Sequence, residues 1–143
     1  MYELAISGGT IACHGKDTSG FEKIYLWDMA AGESSVAPVG TTSINDVALS
    51  GNWLIYQSHP SNADDSLVAM NLDTAETVIL RDDPASRHYN PAIDGTLVVW
   101  TEELRDQVGV VTDYQIWGAN VPEPATLLLL GMGAAALVGR RRN

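Results

Sequence analysis

"VALSGNWLIYQS", residues Val47 to Ser58, decides how the rest of the chain is read. Ser50-Gly51 is a tight-turn signal, because glycine reaches positive φ without steric cost. The run from Trp53 to Tyr56 is apolar and rich in β-formers, so it reads as a strand leaving that turn. The same arrangement occurs on either side, as "LAISGGTIACHG" (Leu4 to Gly15) and "PAIDGTLVVWTE" (Pro91 to Glu102). The turn glycines Gly8, Gly51 and Gly95 are 43 and 44 residues apart. A second landmark keeps the period: Ile24 and Leu67 are 43 apart, as are Glu33 and Glu76. Two independent landmarks at one spacing identify a repeat.

Each unit reads as a set of short strands. After the first apolar run (Thr10 to Cys13, Trp53 to Tyr56, Thr96 to Trp100) comes a polar loop, "KDTSG", "SHPSNADD" or "EELRDQVG". A second run follows, in "KIYLWDMAAGE", "SLVAMNLDTAE" and "DYQIWGAN". Its Asp-Met-Ala-Ala-Gly-Glu or Leu-Asp-Thr-Ala-Glu-Thr segment reads as a hairpin turn into a third strand, "ETVIL" in the middle unit. Asn45 to Leu49 and Asn90 to Ile93 supply a strand leading to the next turn glycine. Four short strands per 43 residues describe β-propeller blades. The units resemble TolB-like propeller repeats, through "LVVWTE" (Leu97 to Glu102) and "KIYLWDMAAGE" (Lys23 to Glu33). The expected fold is all-β, a partial β-propeller with units of about 4–46, 47–90 and 91–120, followed by a short C-terminal hydrophobic helix.

About 2.7 units fit, whereas propellers close with four to eight blades. Three readings meet that shortfall: a chain that lacks its N-terminal part, self-association completing a ring, or a small sandwich. The opening "MYELAISGGTIACHG" has no basic n-region and no long apolar h-region, so it does not read as a secretory signal peptide. A missing N-terminal part would account for both observations.

The last 23 residues, "VPEPATLLLLGMGAAALVGRRRN", belong to a different class. Pro122 and Pro124 hold the approach extended. Ala125 to Gly139 carries no charge, and as a helix its 15 residues reach about 22 Å against a hydrocarbon core of about 30 Å. Ala125, Leu127, Leu128, Leu129, Leu130, Gly131, Gly133, Leu137 and Val138 leave no polar face, as a membrane segment requires. Arg140, Arg141 and Arg142 then form a cationic stop on the cytoplasmic side. Thinning of the bilayer and snorkelling of the arginines absorb the short length. A C-terminal helix packed in a core and an uncleaved single-pass anchor are the alternatives.

Pro122, Glu123 and Pro124, the apolar stretch and the arginine cluster, in that order at the chain end, resemble the PEP-CTERM sorting signal of Gram-negative bacteria. The resemblance implies export, passage through the inner membrane, and processing near Pro-Glu-Pro by an exosortase, followed by release or anchoring at the cell surface. Extracellular polysaccharide is a candidate partner on the same grounds. Tails of this type are also described under an ice-binding label, but the body lacks the regular threonine-rich repeat that would support it.

Residues 1–120 hold 5 basic and 17 acidic residues, a net charge of −12, while the tail is +2. Such a body disfavours nucleic acid, whose phosphates need Lys and Arg. A single cysteine, Cys13, excludes an intrachain disulfide and reads as a small buried hydrophobe. No catalytic signature stands out. His14, His59 and His88 have no metal-ligand spacing, and read as loop or strand-edge residues. Asp64, Asp65, Asp82 and Asp83 offer oxygen ligands to Ca²⁺ but match no known loop, and solvated turn acids are the simpler reading. Trp27 and Trp117 are placed at equivalent positions, and Trp53 and Trp100 in the first strands; stacking between blades accounts for them, with a sugar platform as the alternative. The expectation is a non-enzymatic binding or structural module outside the cytoplasm. A propeller hydrolase or lyase with catalytic residues elsewhere, and an unprocessed membrane protein, are the competing readings.

Overall fold

The computed structural model describes residues 3–40, 43–59, 65–83 and 86–122. They form three antiparallel sheets. The first comprises β1 (Leu4–Ser7), β2 (Thr10–Lys16), β3 (Glu22–Asp28) and β4 (Glu33–Val36), in that order. The second comprises β5 (Ser43–Ser50), β6 (Trp53–His59), β7 (Ser66–Asn71) and β8 (Thr77–Asp82). The third has three strands, β9 (Ser86–Asp94), β10 (Leu97–Arg105) and β11 (Val111–Asn120). β5 lies against β1 on one side and β9 on the other, so the first strands of the three sheets share one edge. This is the blade arrangement of a propeller. The helix expected over Ala125 to Val138 lies outside the described residues, as do Glu123, Pro124 and Arg140 to Arg142. Among the described residues no helix is long and apolar enough to cross a membrane.

The turn chemistry follows the sequence. Gly8, Gly51 and Gly95 have φ of 57°, 54° and 58°, the left-handed values that two-residue hairpins require. The β3–β4 and β7–β8 hairpins share a device: the Asp28 carboxylate accepts from the Ala30 and Ala31 N–H groups, and the Asn71 carbonyl oxygen accepts from Asp73 and Thr74. These side chains stand in for backbone acceptors.

Strand alternation gives every sheet two faces, and the cores form where they meet. Ala12 and Ile24 of the first sheet pack with Leu49, Leu54, Tyr56, Val68 and Met70 of the second. The other face of the second sheet, Trp53, Ile55, Leu67 and Ala69, packs with Val98 and Trp100 of the third. Trp53 and Trp100 therefore join one core cluster from facing sheets, as expected between blades, whereas Trp27 and Trp117 are exposed.

Three expectations need correction. Trp27 pairs with Ile11 whereas Trp117 pairs with Trp100, and the turn glycines make Ala119, not Trp117, the counterpart of Trp27. Strand β11 is two residues out of the sequence alignment because no later hairpin among the described residues fixes its phase. Cys13 is half-buried, not buried, because among the described residues no sheet packs on its face. His14 and His88 are buried within strands, not at loops or edges; only His59 ends a strand. The turn register makes Gln57 the counterpart of His14 in the second sheet.

Candidate functional site

The shared edge of the three sheets holds a recess of about 270 Å³. Glu3, Leu4, Asp46, Val47, Asn90 and Pro91 line it. These are one pair of positions taken three times, beginning five residues ahead of Gly8, Gly51 and Gly95. Asp46 and Asn90 sit at strand irregularities with φ of 47° and 50°, which push their side chains off the ladder. Asp and Asn tolerate this left-handed conformation better than most residues.

Each acidic position clasps the following sheet. The Glu3 carboxylate accepts the Val47 N–H at 3.0 Å, and Asp46 accepts the Asn90 N–H at 2.9 Å. Burial, then a side-chain hydrogen bond with Asp46 and its negative charge, push the Glu3 carboxyl up to about 7. Two carboxyls that share a proton and face one recess can bind a cation, accept hydrogen bonds from a sugar, or exchange a proton with a ligand. Sequence reading missed these residues, because the signal lies in the aligned repeats and not in a local motif.

A second polar group lies between the second and third sheets. Fully buried Glu102 receives a two-pronged hydrogen bond from Arg81, at 3.1 Å from Nε and 2.8 Å from the terminal nitrogen. The Arg81 guanidinium also lies 5.0 Å over the Trp117 ring and donates to Asp83 at 3.0 Å. Beside it, Ser86 Oγ and His88 Nε2 are 3.2 Å apart, and both residues are buried. Burial holds the His88 imidazole below its ordinary value, so it is neutral there. A serine and histidine this close suggest nucleophilic chemistry, but both are closed off from solvent, and the geometry is that of a packed polar joint. His59 Nδ1 contacts the Asp65 carboxylate, and Arg87 lies 4.0 Å from Asp65. Asp82 accepts from Ser66. The aspartates considered as calcium ligands thus have cationic or hydroxyl partners, and Asp64 lies outside the described residues. Among the described residues no three His, Cys, Asp or Glu side chains are grouped to hold a metal.

The tail departs without a spacer. Val121 is buried in the second core, and its N–H donates to the Thr96 carbonyl at 2.9 Å. Pro122, half-buried, follows at once, on the rim that carries the Gly95 turn.

Comparison with known proteins agrees with this division. Residues 120–142 match the family described as PEP-CTERM protein-sorting motif. No curated protein matches the chain significantly. Among solved structures, a protein assigned as TolB from Agrobacterium tumefaciens superposes with a TM-score of 0.61 at 15% identity, over 84% of this chain and 50% of that one. The chain thus spans about half the length of that structure, and at this identity the likeness concerns the fold. A TolB-like β-propeller fold in the body and a PEP-CTERM sorting motif at the C-terminal end, implying export and an exosortase, are what this chain joins.

Proposed function

We propose that the chain is an envelope or extracellular protein that an exosortase receives through its tail, and that the body is a non-enzymatic binding or structural module displayed outside the cytoplasm. The observation that carries this is the motif at 120–142 beginning where β11 ends, so the sheets and the sorting signal form one continuous object. Pro122, Glu123 and Pro124 provide the recognition site, the apolar stretch enters the inner membrane, and Arg140 to Arg142 hold the cytoplasmic side. An acidic body suits the cell exterior and polyhydroxylated partners such as extracellular polysaccharide. The test is the mature C-terminus, read by mass spectrometry in a host with and without its exosortase. Loss of Arg140 to Arg142 only when the enzyme is present supports sorting; an intact tail in both hosts refutes it.

One observation favours an enzyme: the Glu3–Asp46 pair in the shared recess, with a raised carboxyl. Against this, both carboxylates are engaged by backbone N–H groups of the adjacent sheet, a structural task sufficient to explain them. Hydrolysis or elimination on a panel of polysaccharides that disappears in Glu3→Gln, with the fold intact, would decide for the enzyme.

A further inference from the structure

The start of the sorting motif and the end of the sheet are the same residues. The motif match begins at Asn120, yet β11 runs to Asn120, and Val121 is 2% exposed in the core between the second and third sheets. Ala119 and Asn120 stand opposite Val98 and Leu97, and Ala119 packs on the same core. The Val121 N–H donates to the Thr96 carbonyl at 2.9 Å. Pro122 has no N–H with which to continue the ladder, so the pairing stops there.

Only Pro122, Glu123 and Pro124 separate Val121 from the apolar stretch that begins at Ala125. Three residues reach about 10 Å at full extension, roughly the thickness of one packed sheet layer. Extended peptides are held by backbone hydrogen bonds to the edge of the protein that receives them, and proteolysis concentrates where the backbone is exposed and unpaired. A leash this short cannot carry Pro-Glu-Pro into the cleft of a second protein while Val121 stays packed. The residues that precede the motif have their backbone committed to β10, and Val121 has its side chain committed to the core.

Granted the sorting reading above, we infer that Val121 is a latch on processing: in the folded chain an exosortase gains Pro-Glu-Pro only when the end of β11, from Ala119 to Val121, peels from β10. Where peeling and redocking are fast against cleavage, the rate of tail removal follows the equilibrium population of the peeled form. Fraying of a strand end costs less than opening a whole sheet, so the latch slows the reaction without blocking it.

The test reconstitutes the whole folded chain in vesicles with the exosortase and times loss of the tail by mass spectrometry. Val121→Ala deletes two buried methyl groups and should raise the rate by about tenfold. Hydrogen exchange at the N–H of residue 121, measured without the enzyme, should quicken by the same factor, and a cooperative urea transition shows that the variant is folded. Insertion of Gly-Gly-Ser-Gly-Gly-Ser-Asn-Val after Val121 keeps the anchor, repeats the two residues that precede Pro122, and moves the motif off the sheet. This variant should lose its tail faster than the parent, and adding Val121→Ala to it should change nothing. Equal rates in the parent and the insertion variant overturn the inference, as does an acceleration by Val121→Ala that persists in the insertion variant. A tail that stays intact in every variant refutes the sorting reading and the latch together.

Discussion

The two junctions between sheets use one backbone register and opposite chemistry. Between the first and second sheets the core is mainly aliphatic, with Ala12, Ile24, Leu54 and Met70 beside Tyr56, and buried His14 stands on the same face as Ala12. There Glu22 accepts from the Ser43 hydroxyl and the Ile44 N–H, both at 2.6 Å, and those bonds hold its carboxyl low against the upward push of burial. Between the second and third sheets the core is aromatic, with Trp53 and Trp100, and the polar groups are inside it: Glu102, His88 and Ser86. The repeat therefore specifies where sheets meet but not what holds them. An aliphatic junction tolerates sliding; a buried ion pair permits one alignment, because any other leaves a charge unpaired.

The largest effect should come from the aromatic junction. Trp100→Ala removes a buried indole and should cost about 3–5 kcal/mol, against about 2–5 kcal/mol for Leu54→Ala in the other junction, with the larger loss expected at Trp100. Urea unfolding followed by fluorescence of the remaining tryptophans measures both. If the two costs prove equal, or Leu54 proves larger, the contrast between the junctions fails. Next comes Arg81→Ala, which strands the Glu102 carboxylate and should cost about 3 kcal/mol. Adding Glu102→Met should restore part of the loss, since it leaves no buried carboxylate without its partner. No recovery in the double variant would mean that Arg81 acts mainly through its contact with Trp117.

Much of this architecture was legible in the sequence, for a local reason. A hairpin needs positive φ at one residue, so Gly8, Gly51 and Gly95 announce three sheets and their spacing. The same argument places β5 and β9 ahead of their turns and β8 after Asn71. What could not be read depends on approach in space. Arg81 and Glu102 are 21 residues apart on different sheets, and nothing local to either foretells the pair. The recess escaped notice because Glu3, Asp46 and Asn90 are three different residue types, equivalent only once the turn glycines are superimposed. Cys13 and the phase of Trp117 were misjudged at the ends of the repeat, where a neighbouring sheet or hairpin is missing as a reference.

Glu3 and His88, one at each junction, should respond to pH with opposite sign. Glu3, at the first junction, has a carboxyl raised from 4.5 to about 7, so the folded state holds its proton longer than the unfolded chain does. Its contribution is complete below pH 4.5 and is lost as the pH rises toward 7. His88, at the second, faces Glu102, Arg81, Asp65 and Asp83, and burial lowers its pKa below 6.5. Its contribution is complete above pH 6.5 and is lost as the pH falls. Glu3→Gln should therefore flatten the decline in urea midpoint from pH 4.5 to 7, and His88→Asn should flatten the decline on the acid side. Midpoints that keep the parent slope in both variants would assign the pH response to other groups.

The smallest effect is the most informative about cooperation between junctions. Ser7→Ala and Ser50→Ala each delete one hydroxyl acceptor at an exposed turn, at a cost of about 0.5–1 kcal/mol. The affected donors are separate, Gly51 in the first variant and Gly95 in the second, so native-state hydrogen exchange can observe each junction individually. If sheets stack as near-independent neighbours, Ser7→Ala should speed exchange at Gly51 and leave Gly95 unchanged, and Ser50→Ala should do the reverse. Equal acceleration at both glycines in either variant would mean that the second sheet, clasped on two faces, transmits the opening of one junction to the other. The aromatic junction would then be the one that holds the other shut, since among the described residues it alone contains an ion pair, Arg81 with Glu102, that loses its partner when the sheets part.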